Sequence, residues 1–159
     1  MKLNLGCGNW KLPGYTGVDL YAPEADIQAD VRSLPFEDNT IDEIYTSHVI
    51  EHFDFHEGKK VLKEWQRVLK PGGWLVTECP DLEKSCREFL KADEKERINN
   101  FYPHFFGMPW LPGGAHKFLY TFTQLAWTLN ELGFKNIHQA PARRYIGKEH
   151  ISMKVLCQK

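Results

Sequence analysis

Gly6 and Gly8 bracket Cys7 directly after the alternating apolar run Lys2-Leu3-Asn4-Leu5. Two glycines this close let bare backbone come up against a ligand, which is how a buried strand hands over to a binding turn. A G-x-G alone is equally the signature of a plain tight turn. Its surroundings add two carboxylates. Tyr15-Thr16-Gly17-Val18 is a second β-type run, ending at Asp19 and Leu20, and Asp26-Ile27-Gln28-Ala29 is a third, ending at Asp30 and Val31. An acid at the carboxyl end of a strand beside a glycine turn is placed to accept hydrogen bonds from a ribose diol. Three strand ends, each delivering small or acidic groups to one edge, fit a nucleoside.

Five segments taken in order carry a family resemblance: Asn4-Leu5-Gly6-Cys7-Gly8, Val18-Asp19-Leu20, Asp30-Val31-Arg32-Ser33-Leu34-Pro35-Phe36, Ile44 to Phe53, and Arg67-Val68-Leu69-Lys70-Pro71-Gly72-Gly73-Trp74-Leu75. Together they resemble the cofactor motifs of the class I S-adenosylmethionine-dependent methyltransferases, closely from residue 2 to about 80 and by layout thereafter. The resemblance implies S-adenosyl-L-methionine as cofactor. Leu5, Gly6, Cys7 and Gly8 would run under its methionine portion, and Asp19 would bind the ribose hydroxyls with Leu20 against the adenine. Asp30 and Val31 would hold the adenine edge, and Ser47 and His48 would face the sulfonium. Two positions depart from the pattern: Asn4 stands where many members carry an acid, and Trp10 where many carry a third glycine.

Methyl transfer from a sulfonium is an in-line displacement, so geometry does most of the work and a base is needed only for a neutral or protonated acceptor. His48, His116 and Asp81 are the candidate catalytic groups. His104 and Tyr102 are weaker candidates, and Asp81 has helix capping as its alternative. His48-Val49-Ile50-Glu51-His52 also spells H-x-x-E-H, which on a helix would offer zinc two histidines one turn apart. That site requires a third ligand and a helical pair, whereas Tyr45-Thr46-Ser47 favours an extended chain up to His48. No metal is expected, and Glu51 and His52 read as a carboxylate and imidazole pair opening the next helix.

The elements that must position these groups follow the apolar periodicity. Residues 2–5, 15–19 and 26–29 read as strands whose connections are too short for full crossover helices. Trp10, Leu12, Pro13 and Tyr15 are then left to cover the sheet face, and an exposed edge opens the option of a homodimer. Ile41 to Ser47 reads as the buried fourth strand. Residues 56–69 carry Val61, Leu62, Trp65, Val68 and Leu69 at helical spacing, and Lys70-Pro71-Gly72-Gly73 ends that helix ahead of a strand over 74–79. Residues 81–100 are charged and helix-forming. Phe101 to Phe118 mixes aromatics, prolines, glycines, His104 and His116 in one irregular stretch, either a lid over the substrate or a loop filling a core gap. Residues 121–132 return to helical period, and 135–140 and 150–157 alternate like a closing antiparallel pair. The expected fold is α/β: one Rossmann-like domain over 1–159, with a seven-stranded, mostly parallel sheet, an antiparallel last strand and shortened first helices.

With 159 residues and a net charge of −1, the chain has the size of one domain and no basic field for nucleic acid. A local patch such as Arg143-Arg144 could still grip a phosphate. Four cysteines lack any C-x-x-C spacing, and neither a signal peptide nor a long apolar span is recognised. A reduced, cytoplasmic protein without membrane association is expected. Its acceptor is read as a small molecule, a sugar or glycan precursor being the example the resemblance suggests. Two alternatives stay open: a nucleic-acid methyltransferase, disfavoured by the absence of an Asn-Pro-Pro-Tyr type motif after the fourth strand, and a scaffold that binds a nucleoside without turnover.

Overall fold

The computed structural model describes residues 1–142 and 151–159. Seven strands form one sheet: β1 (Lys2–Leu5), β2 (Thr16–Asp19), β3 (Ile27–Gln28), β4 (Ile41–Ser47), β5 (Leu69–Pro80), β6 (Lys135–Ala140) and β7 (Ser152–Gln158). Their order is β3-β2-β1-β4-β5-β7-β6. The pairs β1·β2, β2·β3, β1·β4 and β4·β5 are parallel, and β7 runs antiparallel to both β5 and β6. The chain therefore winds outward from β1 to β3 and then jumps back to β4. A crevice opens where the winding reverses, beyond the carboxyl ends of β1 and β4, and open α/β sheets bind their ligands there.

One long helix, α1 (Phe55–Val68), makes the crossover from β4 to β5. Asp54 caps it by accepting from the Glu57 amide at 2.8 Å. Val61, Leu62, Trp65 and Val68 fall on one stripe and are fully buried against Leu3, Leu5, Ile44 and Leu75 of the sheet. Trp65 also donates from Nε1 to the Val31 carbonyl at 3.0 Å. The loop after β3 is thereby fixed to the helix behind it. On the far side of β5, α2 (Leu82–Lys91) and α5 (Phe122–Glu131) flank a shorter run containing α3 (Glu94–Glu96) and α4 (Tyr102–Phe106).

The connections β1–β2 and β2–β3 hold no helix at all, a stronger reduction than the shortened helices the sequence suggests. Aromatic groups stand in their place, as expected: Trp10 and Tyr15 both meet Tyr45 edge-on, with ring centroids 6.0 and 6.3 Å away. Ion pairs finish the face, Lys2 reaching Glu43 at 2.7 Å while Tyr15 donates to the same carboxylate.

Two further boundaries differ from the sequence reading. β5 starts at Leu69, so Lys70–Gly73 is an irregularity within the strand rather than a separate turn. Residues 101–118 are not irregular throughout: a π-helical turn (Arg97–Phe101) leads into α4, because Phe89, Phe101 and Phe105 pack as one aromatic cluster with centroids 5.7 to 6.2 Å apart. The remainder is a loop pinched at its base by a bridge between Gly107 and Ala115. Gly107 has φ +70°, and a Cβ there would lie 2.2 Å from the Gly114 carbonyl oxygen, so only glycine closes the pinch. Arg143 and Arg144 lie outside the described residues. Among the described residues no helix is long and apolar enough to cross a membrane.

Candidate active site

Two cavities open along the crevice. One, of about 470 Å³, is lined by Asp19, Leu20, Asp30 and Val31 on the sheet side and by Pro109 to Ala115 opposite. The other, of about 980 Å³, is lined by Asn4, Cys7, Gly8, Trp10, Tyr45 and Ser47. Gly6 and His48 border both, so the two lobes meet at the ends of β1 and β4.

The glycine turn follows from backbone demands. Gly6 has φ +63° and Gly8 has φ +52°, and the Gly6 amide donates to the Val18 carbonyl at 2.8 Å. A Cβ on Gly6 would come within 2.3 Å of Val49 Cγ2. Asp19 holds this turn to its own strand end. Its Oδ2 accepts from the Gly8 amide at 2.9 Å, and its Oδ1 accepts from the amides of Tyr21 and Ala22 at 2.8 and 3.0 Å. A carboxylate oriented by three amides keeps acceptor capacity for a diol placed in the cavity. Asp30 is gripped by Arg32, whose Nη2 lies 2.6 Å from Oδ2; the guanidinium holds the carboxyl below its ordinary range. Leu20 is exposed over the cavity, and the Val31 side chain is buried beside it.

Leu5 is fully buried and faces the core, so its contribution is to anchor the turn and not to line either lobe. Cys7 is buried. Burial, with Asp19 and Asp26 nearby, pushes its thiol up, so it stays protonated and serves as a small wall group. Cys79 is pushed much further up, by burial first and then by Glu51, Asp81 and Glu78, which excludes it as an attacking thiolate.

His48 ends β4 with φ +55°, a strained conformation that turns the chain sharply into a 3-10 turn (Ile50–His52). The H-x-x-E-H segment is thus strand end plus turn, not a helix. Within it Glu51 is fully buried, and its Oε1 lies 2.9 Å from His48 Nδ1 and 4.0 Å from His116 Nε2. Burial pushes this carboxyl up, but the His48 hydrogen bond and the imidazoles of His48, His52 and His116 outweigh it and hold it below its ordinary value. Oε2 has no hydrogen-bond partner among the described residues. The Glu51 carbonyl accepts from Lys117 and Phe118 at 2.8 and 3.2 Å, which stitches the loop after α4 to the turn after β4.

His116 reaches Glu51, its Nε2 4.0 Å from Oε1, but lines neither lobe of the crevice. Asp81 caps α2 by accepting from the Lys84 amide at 3.2 Å, pairs with Lys84 Nζ at 3.1 Å, and lines neither lobe. Its acceptor-side role gives way to capping because the chain starts a helix one residue after β5. His104 is buried with Nε2 2.9 Å from Ser85 Oγ, which makes it a core group. Tyr102 is half-exposed against Phe106 and Phe89. Sequence reasoning underrated Glu51, the residue on which three imidazoles converge. The signal was present in H-x-x-E-H, but the contribution of His116 depends on tertiary closure.

The strand order and the crevice define a class: this is the fold of the class I S-adenosylmethionine-dependent methyltransferases. Residues 14–77 match the family described as methyltransferase domain. Over 70 residues it is 36% identical to a sterol 4-C-methyltransferase of Caenorhabditis elegans, covering 42% of this chain and 20% of that one. Over 106 residues it is 32% identical to a probable tRNA methyltransferase 9B of Bos taurus, covering 57% of this chain and 23% of that one. The chain spans about a fifth of the length of these curated relatives. Among solved structures, a Burkholderia thailandensis 1,6-didemethyltoxoflavin-N1-methyltransferase with bound S-adenosylhomocysteine is similar, at a TM-score of 0.68 and 15% identity over 99% of this chain and 70% of that one.

Proposed function

We propose that this chain is an S-adenosyl-L-methionine-dependent methyltransferase acting on a small-molecule acceptor. The observation that carries the reading is the two-lobed crevice whose lobes share Gly6 and His48. One lobe has Asp19, Leu20, Asp30 and Val31 for an adenosyl group, and the other has Asn4, Gly8 and Ser47 for an amino-acid tail. The residues fit that cofactor: a Cβ-free turn where the lobes meet, an amide-oriented carboxylate at the ribose position, and an exposed apolar side chain over the adenine position. When bound, the cofactor supplies a methyl group on a sulfonium to an acceptor nucleophile.

The chain's own residues then have defined tasks. Asp19 accepts from the ribose hydroxyls. Asp30 accepts from the adenine amine, sharing its oxygens with Arg32. Ser47 and His48 border the junction of the lobes, where acceptor and methyl group would meet. His48, with Nδ1 donating to Glu51, would act as a base or orienting group for the incoming nucleophile. The loop from Pro109 to Lys117 forms the wall opposite the strands and acts as the substrate lid, excluding water as the acceptor seats.

Acidic and basic residues are in near balance, which supports a small acceptor over a polyanion. A sugar or glycan precursor is the small acceptor we propose. The sterol and tRNA relatives keep lipid and nucleic-acid acceptors as the rivals. Calorimetric titration with S-adenosylmethionine, followed by assay of S-adenosylhomocysteine across sugar, sterol and tRNA acceptor pools, tests the reading. Product with a soluble small acceptor is the expected outcome. Tight cofactor binding with no product in any pool would instead favour a nucleoside-binding scaffold, and no binding would remove the proposal.

A further inference from the structure

Beside the junction of the lobes, Glu51, His52 and His116 bring one ligand-type atom each to within 4.8 Å of one another. A single point therefore lies within about 2.8 Å of all three, against about 2.0 to 2.2 Å for ligands on a bound zinc, a gap that small side-chain rotations close. The two imidazoles are already set for coordination. His52 Nδ1 lies 3.0 Å from the Ala115 carbonyl oxygen, and His116 Nδ1 lies 2.8 Å from the His104 carbonyl oxygen. A carbonyl only accepts, so in each ring Nδ1 carries the proton and Nε2 is left with its lone pair. Metal-ligating histidines are oriented and polarised by this same second hydrogen bond. The rings stand edge to face with centroids 5.0 Å apart.

The third donor makes a ligand the simplest account. Glu51 is fully buried, and Oε2 has no hydrogen-bond partner among the described residues. An orphaned carboxylate oxygen in the interior is costly unless something cationic meets it. We infer that Glu51, His52 and His116 form a site for one divalent first-row transition metal, with zinc the best match to a two-imidazole, one-carboxylate donor set. Sequence alone argued against zinc because H-x-x-E-H lacked a third ligand and a helix. The fold replaces the expected His48 with Glu51 in the triad and supplies His116 from a loop more than sixty residues further on. His48 keeps its place as the hydrogen-bond donor that orients Glu51.

Because His52 and Ala115 line the same cavity as Asp19, the metal's open coordination positions would face that cavity. An acceptor oxygen could bind there, a role that rests on the methyl-transfer reading above. The metal site itself does not.

The test uses the full chain, stripped with a chelator, reloaded with zinc chloride, desalted and analysed for zinc per chain. Cobalt loading serves as a spectroscopic second readout. About one zinc per chain is expected, with His52→Ala and His116→Ala each weakening zinc binding by about tenfold or more. Cys86→Ser, which removes an exposed thiol, should leave the stoichiometry unchanged. Should Glu51→Gln fail to fold, the two histidine variants suffice, provided their circular dichroism matches that of the parent. Negligible zinc after desalting would overturn the site, as would stoichiometric zinc that survives His116→Ala. Titration of the metal-free chain with S-adenosylmethionine separates the two proposals: cofactor binding without zinc binding defeats this inference alone, and the converse defeats the methyltransferase reading alone.

Discussion

The Gly8 amide donates to Asp19 Oδ2 at 2.9 Å, tying the turn after β1 to the end of β2. One carboxylate thus holds the shape of the glycine turn and, in the proposed site, would also hold the ribose. Asp19→Ala is expected to weaken S-adenosylmethionine binding by roughly 1 to 3 kcal/mol through lost charge-assisted hydrogen bonds. Isothermal titration checks it, and unchanged affinity would place the ribose elsewhere.

His48 borders both lobes and donates to a buried carboxylate. Replacing it by alanine should lower turnover about a hundredfold or more while leaving cofactor affinity nearly intact. Single-turnover assays beside equilibrium binding separate the two quantities. A parallel loss of both would make His48 a binding group only.

Gly6→Ala combines a positive φ with a methyl 2.3 Å from Val49 Cγ2. Destabilisation of about 1 to 3 kcal/mol is expected from the strained backbone, with more from the overlap. Adding Val49→Ala should recover the overlap part and leave the backbone part. Urea midpoints of the single and double variants read this directly, and full recovery would show that φ carries no cost here.

Acid stability should depend on Glu64. Hydrogen bonds from Arg67 lower its carboxyl below the ordinary 4.5, burial works against them, and the Leu34 amide adds to the lowering. A carboxyl whose value is lower in the folded than in the unfolded chain contributes its full stability above 4.5 and loses it as the pH falls through the folded value. Glu64→Gln should therefore be less stable than the parent near neutrality and show a flatter acid limb. Denaturant midpoints measured from neutral to acidic pH would reveal any failure of the two curves to converge.

The strand tips that line the crevice are legible in the sequence. Gly6, Gly8, Asp19 and Asp30 declared themselves because each sits where a short β-type run ends, and a parallel sheet brings such ends to one edge. The stripe Val61, Leu62, Trp65 and Val68 likewise required a helix against that sheet. Asp81 carried both readings because a cap and an acceptor-side carboxylate look alike in sequence; what separates them is whether a helix begins at the next residue. The Glu51–His116 approach was unreadable for a different reason. It depends on Gly107 closing a loop against Gly114 and Ala115, a contact between segments with no shared periodicity.

The helix-free returns between β1, β2 and β3 have one more consequence. Neither return contains a helix, so the loops at these strand tips can open while β1 stays packed on α1. Occupying the crevice would tether all three tips at once. Deuterium uptake should accordingly slow most across residues 5–31 when a nucleoside ligand is present, while the strands behind α1 exchange at rates already set by their burial.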